Sequence, residues 1–178
     1  NWAANHQGGG WERAAKLSNA LPVALALGTG ALATGLAGDS AADTARSSLM
    51  AAGVTLGANT VLKYAVGRSR PKDGLGASDF QGGTAYAGQS SFASNHVATT
   101  FALITPFAQR YDQPGLYALA ATSALGRIQQ GEHWFSDTVA GAFLGYAIGS
   151  LMPSLSAQKP KGWQADVSPQ YIGATKRF

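Results

Sequence analysis

Long stretches of alanine and other weakly apolar residues, almost free of charge, limit most strongly how this chain can fold. No charged residue lies between Lys16 and Asp39, and charged residues make up only 12% of the 178 positions. The stretches follow a helical pattern and are separated by clusters of glycine, proline and polar residues. We therefore predict an all-α fold, a single-domain bundle of about five to six helices over residues 1–178.

Prolines, glycines and capping residues set the expected ends of the helices. Helices are expected over residues 11–38, 43–67, 95–109, 115–127 and 134–152. Pro22 either begins a new helix within the first stretch or kinks it, and Pro153 stops the last. Residues 1–10 form a loose arm, and residues 153–178 form a C-terminal tail. Residues 68–90 form a long glycine-rich loop, and a loop of that length in a compact domain is usually functional.

Two stretches, residues 17–38 and 138–158, are long enough to be tested as membrane spans, which need about 20 apolar residues. Both are diluted by small and hydroxylated residues, and Pro153 interrupts the second. The mean hydropathy of −0.02 is lower than a polytopic membrane protein normally shows. We expect a soluble or peripheral protein rather than an integral one.

Charge and cysteine content narrow the classes of partner. The chain has no cysteine, which excludes disulfide and thiol chemistry. Its formal net charge of +4 suits anionic substrates or an anionic lipid surface. No nucleic-acid partner is expected, because the cations are spread along the chain and no basic helix occurs.

Three short segments contain side chains suited to binding a phosphate group: residues 63–71, 91–96 and 126–137. Their patterns read K-x6-R-P, S-F-A-S-N-H and G-R-x5-H-x3-D. Three cations can neutralise a dianion, and two histidines can supply a nucleophile and a proton. The sequence therefore indicates metal-free phosphoryl transfer, and the groups that carry it are Lys63, Arg70, His96, Arg127, His133 and Asp137.

These segments resemble the three-part signature of the type 2 phosphatidic acid phosphatase (PAP2) superfamily, which reads K-x6-R-P, P-S-G-H and S-R-x5-H-x3-D. That superfamily includes class A nonspecific acid phosphatases and vanadium haloperoxidases. The first segment matches fully. The others depart from the signature at Ala93, Asn95 and Gly126, and all three departures spare the charged and imidazole groups.

The phosphate cradle is expected to consist of Lys63, Arg70, Ser94, Asn95 and Arg127. A guanidinium fork binds two phosphate oxygens at once, and the free amides at a helix start favour an anion. Replacing the signature serine by glycine removes one hydrogen bond to a charged oxygen, worth about 1.5–3 kcal/mol, so weaker substrate binding is expected. The loop 68–90 borders the entrance, and its cations Arg68 and Lys72 are expected to be solvated neighbours.

His133 and Asp137 are four residues apart. On one helix face, the carboxylate would accept a proton from one imidazole nitrogen and leave the other free to attack phosphorus. Taken in isolation, such a pair is more often purely structural, and Arg127 six residues upstream is what favours the catalytic interpretation. The resemblance implies that His133 is the nucleophile and forms a phosphohistidine, and that His96 is the general acid. His6, in the arm, is not expected to take part.

The resemblance implies a metal-independent phosphatase acting on phosphate monoesters, with a phosphorylated lipid or a small phosphate ester as partner. Phosphatidic acid, polyprenyl phosphates and lipid A are the lipid substrates expected, and a membrane surface is a further expected partner. No cofactor and no metal site are expected, and vanadate should inhibit as a phosphate mimic. The expected location is the bacterial periplasm or the periplasmic face of a membrane.

Two other functions fit the same segments. The cradle of a vanadate-dependent haloperoxidase has the same composition, although those enzymes are usually much larger; bromide oxidation after addition of vanadate would identify one. A catalytically decayed membrane or binding module would explain the departures at Ala93, Asn95 and Gly126, and would hydrolyse no ester.

Overall fold

The computed structural model describes residues 9–83, 90–157, 162–168 and 171–177, and most of them lie in helices. The α-helices of the described residues are α1 (Gly9–Ala33), α2 (Asp39–Val66), α3 (Asn95–Arg110), α4 (Leu116–Gln129) and α5 (Phe135–Ala157). The all-α, five-helix architecture is therefore confirmed. Between α2 and α3 lies one short 3₁₀ turn, Pro71–Asp73.

Several expected boundaries were wrong. Helix α1 begins at Gly9, inside the expected arm, and runs through Pro22 to Ala33. Helix α5 likewise continues past Pro153 to Ala157. A proline inside a helix removes one backbone donor and crowds the carbonyl four residues earlier, which kinks a helix or ends it. Both helices here continue past their proline.

The C-terminal segment, expected to be a tail after the last helix, contains two antiparallel strands. These are β1 (Gly162–Ser168) and β2 (Tyr171–Arg177), and Gly162 pairs with Arg177 at one end of the pair. Residues 1–8 of the expected arm, and residues 84–89 of the expected loop, lie outside the described residues.

Helix α3 is central in the bundle and contacts each of the other four helices. Its closest neighbour is α5, which presents glycines at every fourth position, Gly141, Gly145 and Gly149. A Cβ added to Gly145 would overlap the carbonyl oxygen of Ala98 and lie 2.9 Å from the amide nitrogen of Ala102. Small residues therefore set the distance between the two helices, as they do where helix backbones approach closely.

The interior consists mainly of small residues, and many of the large apolar side chains point outward. The buried apolar side chains are mostly alanines, accompanied by buried serines and threonines. Leu17, Leu27, Val61, Phe135 and Phe143 are each between 68% and 73% exposed. A protein that folds in water normally has the opposite distribution.

Two of the described helices are long and apolar enough to cross a membrane, judged by length and composition. They are Asp39–Val66 and Phe135–Leu155, and only 22% and 28% of their most apolar windows are buried. The second lies close to a stretch that the sequence suggested. The other helix, Asp39–Val66, was not among the stretches that the sequence suggested, and residues 17–38, which were, do not pass this test.

The loop after α2 is held against the start of α5 by Arg68. Helix α2 ends at Gly67, whose φ of 56° is left-handed, and the chain then turns sharply. The Arg68 side chain is 9% exposed and donates to Asp137 Oδ1 at 2.5 Å. It also donates to the carbonyl of Ala77 and to Ser136 Oγ. The expectation that Arg68 is solvated was wrong.

Two aromatic rings complete the surroundings of Arg68. Its guanidinium carbon lies 5.2 Å from the ring centre of Phe80 and 5.4 Å from that of Trp134. Trp134 in turn donates its indole N–H to the Ser69 carbonyl at 2.9 Å. The loop is therefore docked by the charge of Arg68, by the two rings beside it and by several hydrogen bonds, one of which joins Trp134 to Ser69.

The glycine stripe on α5 can be tested by replacing Gly145 with alanine. Because the added methyl group would overlap backbone atoms of α3, Gly145→Ala should destabilise the fold by about 1–3 kcal/mol. Gly57→Ala is the matched control, since nothing lies within 4 Å of its added Cβ and alanine favours helix. Thermal unfolding should show a lower Tm for G145A and an unchanged or higher Tm for G57A. Equal Tm values would contradict this account of the packing.

The buried ion pair predicts a large effect of Arg68→Met. Removing the guanidinium leaves the carboxylate of Asp137 buried and uncompensated, which typically costs about 3–5 kcal/mol. Arg46→Met removes one half of an exposed pair with Asp43 and should cost at most about 1 kcal/mol. Chemical denaturation of the two variants measures the difference. Similar losses of unfolding free energy would show that Arg68 does not anchor the loop.

Candidate active site

The ends of four helices meet at one place, and all the residues predicted to act on phosphate lie there. Lys63 is in the last turn of α2, Asn95 begins α3, Arg127 is in the last turn of α4 and Asp137 is in the first turn of α5. Hydrogen bonds join these ends directly. The Ser94 amide, for example, donates to the Asp137 carbonyl at 3.0 Å.

Lys63 ties α2 to the segment that carries Ser94 and His96. Its ammonium group donates to the Ser90 carbonyl at 2.5 Å and to the Ala93 carbonyl at 2.7 Å. An ammonium group has three donors. Lys63 therefore fixes the cradle loop with two of them and has capacity for one further acceptor.

The two arginines are held by different neighbours. Arg70 donates from Nη2 to Ser90 Oγ at 3.1 Å. Arg127 donates from Nη1 to Asn19 Oδ1 at 2.9 Å and to Gln130 Oε1 at 3.2 Å. Helix α1 therefore helps to orient the cation of α4.

An unexpected carboxylate, Glu132, lies among these cations. One of its oxygens is ion-paired with Arg70 Nη1 and lies 3.6 Å from Arg127 Nη2, and the other accepts from Lys72 at 2.6 Å. Burial raises the pKa of Glu132, but the Lys72 hydrogen bond and the three cations outweigh burial and lower it. Glu132 is therefore an anion at neutral pH.

Three cradle residues carry buried polar atoms that have no partner among the described residues. They are Arg70 Nε, Ser94 Oγ and Arg127 Nε, three of the seven such side-chain atoms. An unpaired buried polar group costs about 1–3 kcal/mol. Concentrating three of them in one place is what a preformed site for an oxyanion requires.

Asn95, which replaces the glycine of the signature, is anchored through its side chain. Its Oδ1 accepts a hydrogen bond from Asn59, a fully buried residue of α2. Asn59 also donates to the Ala93 carbonyl at 2.9 Å. The side chain of Asn95 thus faces α2, and its backbone N–H remains at the start of α3 as the expected anion donor.

His96 lies within electrostatic reach of the predicted cations. Burial lowers its pKa, and the charges of Arg127, Lys63 and Arg70 lower it further, while Glu132 opposes them. The same cations act on His133, so both imidazoles face one positive field. In the free protein, His96 is neutral over more of the pH range than an ordinary histidine.

His133 does not bond to Asp137 in the way that the spacing predicted. Its Nδ1 lies 2.7 Å from the Ser91 carbonyl oxygen and 3.9 Å from Asp137 Oδ2. The reason is that α5 begins at Phe135, so His133 precedes the helix and does not share a face with Asp137. Since a carbonyl only accepts, Nδ1 carries the proton and Nε2 has the free lone pair.

Asp137 acts on His133 through Ser91. The Ser91 hydroxyl donates to Asp137 Oδ2 at 2.5 Å, and its own carbonyl holds the imidazole. The same carboxylate oxygen accepts the Trp134 amide at 2.9 Å and so caps α5. Asp137 is therefore brought to the site as expected, but as a support for the loop that positions the histidine.

The imidazole of His133 is only 3% exposed. Burial, with the charges of Lys63 and Arg127, lowers its pKa to about 3, although the Ser91 hydrogen bond works against this shift. The ring is therefore neutral at any physiological pH. A neutral, oriented imidazole with a free Nε2 is the form that can attack phosphorus.

Gly126 is explained by helix packing. A Cβ at this position would overlap the Ser18 hydroxyl and lie 2.7 Å from Ser18 Cβ. Helix α1 therefore packs closely on α4, one residue before Arg127. A serine here would clash with Ser18.

Sequence reasoning missed five residues that shape the site, Ser18, Asn19, Ser91, Gln130 and Glu132, and gave Arg68 the wrong surroundings. Three of the five, Ser91, Gln130 and Glu132, lie inside the three segments. Their polar side chains close in sequence to His96 or His133 were the available signal. The residues of α1 gave none, because they are more than 100 positions from Arg127.

Comparison with known proteins identifies a family and a relative that this chain resembles. The profile of the PAP2 superfamily matches residues 44–161. A curated relative, the lipid A 1-phosphatase of Porphyromonas gingivalis, is 30% identical over 120 residues, which are 62% of this chain and 24% of that protein. The chain thus spans about a quarter of the length of this relative. No solved structure matches. Since the profile covers well over half of the chain and all three segments, the chain belongs to the PAP2 superfamily.

Proposed function

We propose that the chain is a metal-independent phosphatase that hydrolyses phosphate monoesters of lipids through a phosphohistidine. The observation that carries the proposal is that three cradle atoms, Arg70 Nε, Ser94 Oγ and Arg127 Nε, are buried without a partner among the described residues. The same helix ends carry His133, a neutral imidazole with a free Nε2. Donors fixed in advance around a phosphoryl group stabilise the charge that develops in the transition state.

In the first step, Nε2 of His133 attacks phosphorus in line and the P–O bond of the ester breaks. His96 gives its proton to the departing alkoxide. Lys63, Arg70 and Arg127 neutralise the phosphoryl oxygens, and the amides at the start of α3 add donors. Asp137 and Ser91 hold the His133 ring in its attacking orientation.

In the second step, water attacks the phosphohistidine and the P–N bond breaks. His96, now neutral, takes a proton from this water, and inorganic phosphate is released. Both steps use the same two imidazoles, so no additional group is needed to balance protons.

A lipid substrate is supported by the surface of the bundle. The two helices able to cross a membrane, α2 and α5, end and begin at the site, with Lys63 in the last turn of α2 and His133 two residues before α5. Their outward apolar side chains suit contact with acyl chains. The site would then lie at the depth of lipid headgroups, where a lipid phosphate is found.

The same distribution of residues favours membrane association over the freely soluble state that the mean hydropathy suggested. Alanine in the interior adds less to the mean hydropathy than leucine or isoleucine would, while the large apolar side chains of the surface still face outward. Lipid A is supported as a substrate class by the name of the relative. The periplasmic face, implied by the family resemblance, stays a prediction.

His133→Ala should lower kcat by at least a thousandfold, because it removes the nucleophile. The assay follows release of inorganic phosphate from p-nitrophenyl phosphate and from short-chain phosphatidic acid, with and without EDTA. His6→Ala is the matched histidine control and should keep full activity. EDTA-resistant turnover that vanadate inhibits would support the proposal. Turnover by H133A within tenfold of the native level would refute the assignment, and hydrolysis of no ester would favour a binding module.

The acid limit and the alkaline limit of activity should be set by different histidines. His133, with a pKa of about 3, is already neutral across the usual assay range. His96 must be protonated to act as acid, and its pKa in the free enzyme is below the ordinary 6.5. The value of kcat/KM, which reports the free enzyme, should therefore be highest in acid and fall as pH rises, with the midpoint of the fall below 6.5.

His96→Gln should remove this alkaline fall and lower kcat/KM at every pH. The control measures how binding of a non-hydrolysable phosphonate analogue depends on pH. That dependence reports the ionisation of the ligand and can be separated from the ionisation of His96. A kcat/KM that rises with pH through 6.5 would rule out His96 as the acid.

A further inference from the structure

Glu132 brings a negative charge into a site built for phosphate. Its carboxylate is 18% exposed and contacts three cations, Arg70, Lys72 and Arg127. Two of these are cations that the phosphate group needs. Resting on the proposed function, we propose that Glu132 is a resident competitor that holds the phosphate-binding arginines in the free enzyme and lowers the affinity for inorganic phosphate, the product.

The geometry of Arg127 supports direct competition. Its Nε and Nη2 lie on the same edge of the guanidinium, the edge that binds two oxygens of one phosphate. Nε is buried without a partner among the described residues, and Nη2 faces Glu132 at 3.6 Å. The opposite side, at Nη1, is occupied by Asn19 and Gln130. A phosphate that uses this edge must take Nη2 away from Glu132.

Arg70 is shared in a similar way. Its Nη1 is ion-paired with Glu132, its Nη2 donates to Ser90 Oγ, and its Nε is unpartnered in the described part of the chain. Repulsion between the carboxylate and a phosphate dianion at these two arginines is only weakly screened, because all the groups are partly buried. Glu132 therefore opposes a bound dianion both by occupying donors and by its charge.

Lys72 offers Glu132 another partner. It lies on the outer side, 48% exposed, and binds the carboxylate oxygen that Arg70 does not contact. When phosphate engages the arginines, the carboxylate can stay paired with Lys72. The pair thus makes competition reversible: product phosphate leaves as Glu132 regains Arg70 and Arg127.

The test measures inhibition by inorganic phosphate and its direct binding by equilibrium dialysis. Glu132→Gln keeps the shape and removes the charge, and should lower the phosphate Ki and Kd at least fivefold, with a lower KM and no gain in kcat. Glu12→Gln is the matched control, because Glu12 is the only other glutamate in the chain and pairs with Lys16 at the surface. E12Q should leave all these constants unchanged.

Lys72→Met adds a test of coupling. When Glu132 is present, the loss of Lys72 removes the carboxylate's alternative partner, so Glu132 pairs more strongly with Arg70 and Arg127. Phosphate then binds these arginines less well, and its Ki should rise about threefold or more. In the E132Q background the same substitution should have a clearly smaller effect. Equal effects in both backgrounds would show that Lys72 acts only through its own charge, and would overturn its role as the alternative partner.

Glu132→Asp gives a second measurement in case E132Q unfolds. The shorter carboxylate withdraws from Arg70 and should also tighten phosphate binding. Unchanged or weaker phosphate binding in the folded variants would overturn the proposal and make Glu132 a brace for the arginines. If the native protein neither binds phosphate nor hydrolyses esters, the proposed function itself fails. If turnover depends on His133 but E132Q does not bind phosphate more tightly, only the proposed competition between Glu132 and phosphate is rejected, and the proposed function stands.

Discussion

The ion pair between Arg68 and Asp137 is the interaction on which the rest of the site depends. The arginine docks the loop that carries Arg70, and the carboxylate caps α5 and binds Ser91. Ser91 in turn holds the imidazole of His133. Three segments that are distant in sequence are thereby fixed by one buried charge pair. Such a pair is costly to desolvate, and here its two charges are satisfied by carbonyl, hydroxyl and amide groups.

A second constraint is the small size of the residues between the helices. Glycines on α5 and alanines on α3 let the backbones approach closely, and little apolar area remains to be buried inside. In water such a bundle would be weakly driven to fold, because the hydrophobic term grows with buried apolar area. Within a lipid phase, close van der Waals packing of helices is the main attraction. The close packing and the apolar surface thus both fit association with a membrane.

The helical architecture could be predicted from local patterns, and the resemblance to the family implied that the signature residues come together. Lys63 and Arg70 lie seven positions apart on either side of the end of α2, so one helix end brings both to the site. Arg127 and His133 lie six positions apart on either side of the end of α4 in the same way. The bond partners of these groups could not be predicted, since they come from other segments. Asn19 reaches Arg127 across 108 positions, and the Ser91 carbonyl replaces Asp137 at His133 because α5 starts two residues later than the pair needs.

The departures from the family signature bear on whether this site is intact. Asn95 would be a poor substitute for glycine if its amide were left buried and unpaired, but Asn59 binds it from α2. Gly126 lacks a hydroxyl, yet it leaves the space that Ser18 of α1 fills. These two departures are thus accommodated by residues outside the signature, Asn59 and Ser18. All three departures, Ala93 included, spare the charged and imidazole groups of the site. The site therefore fits a working cradle better than a decayed module.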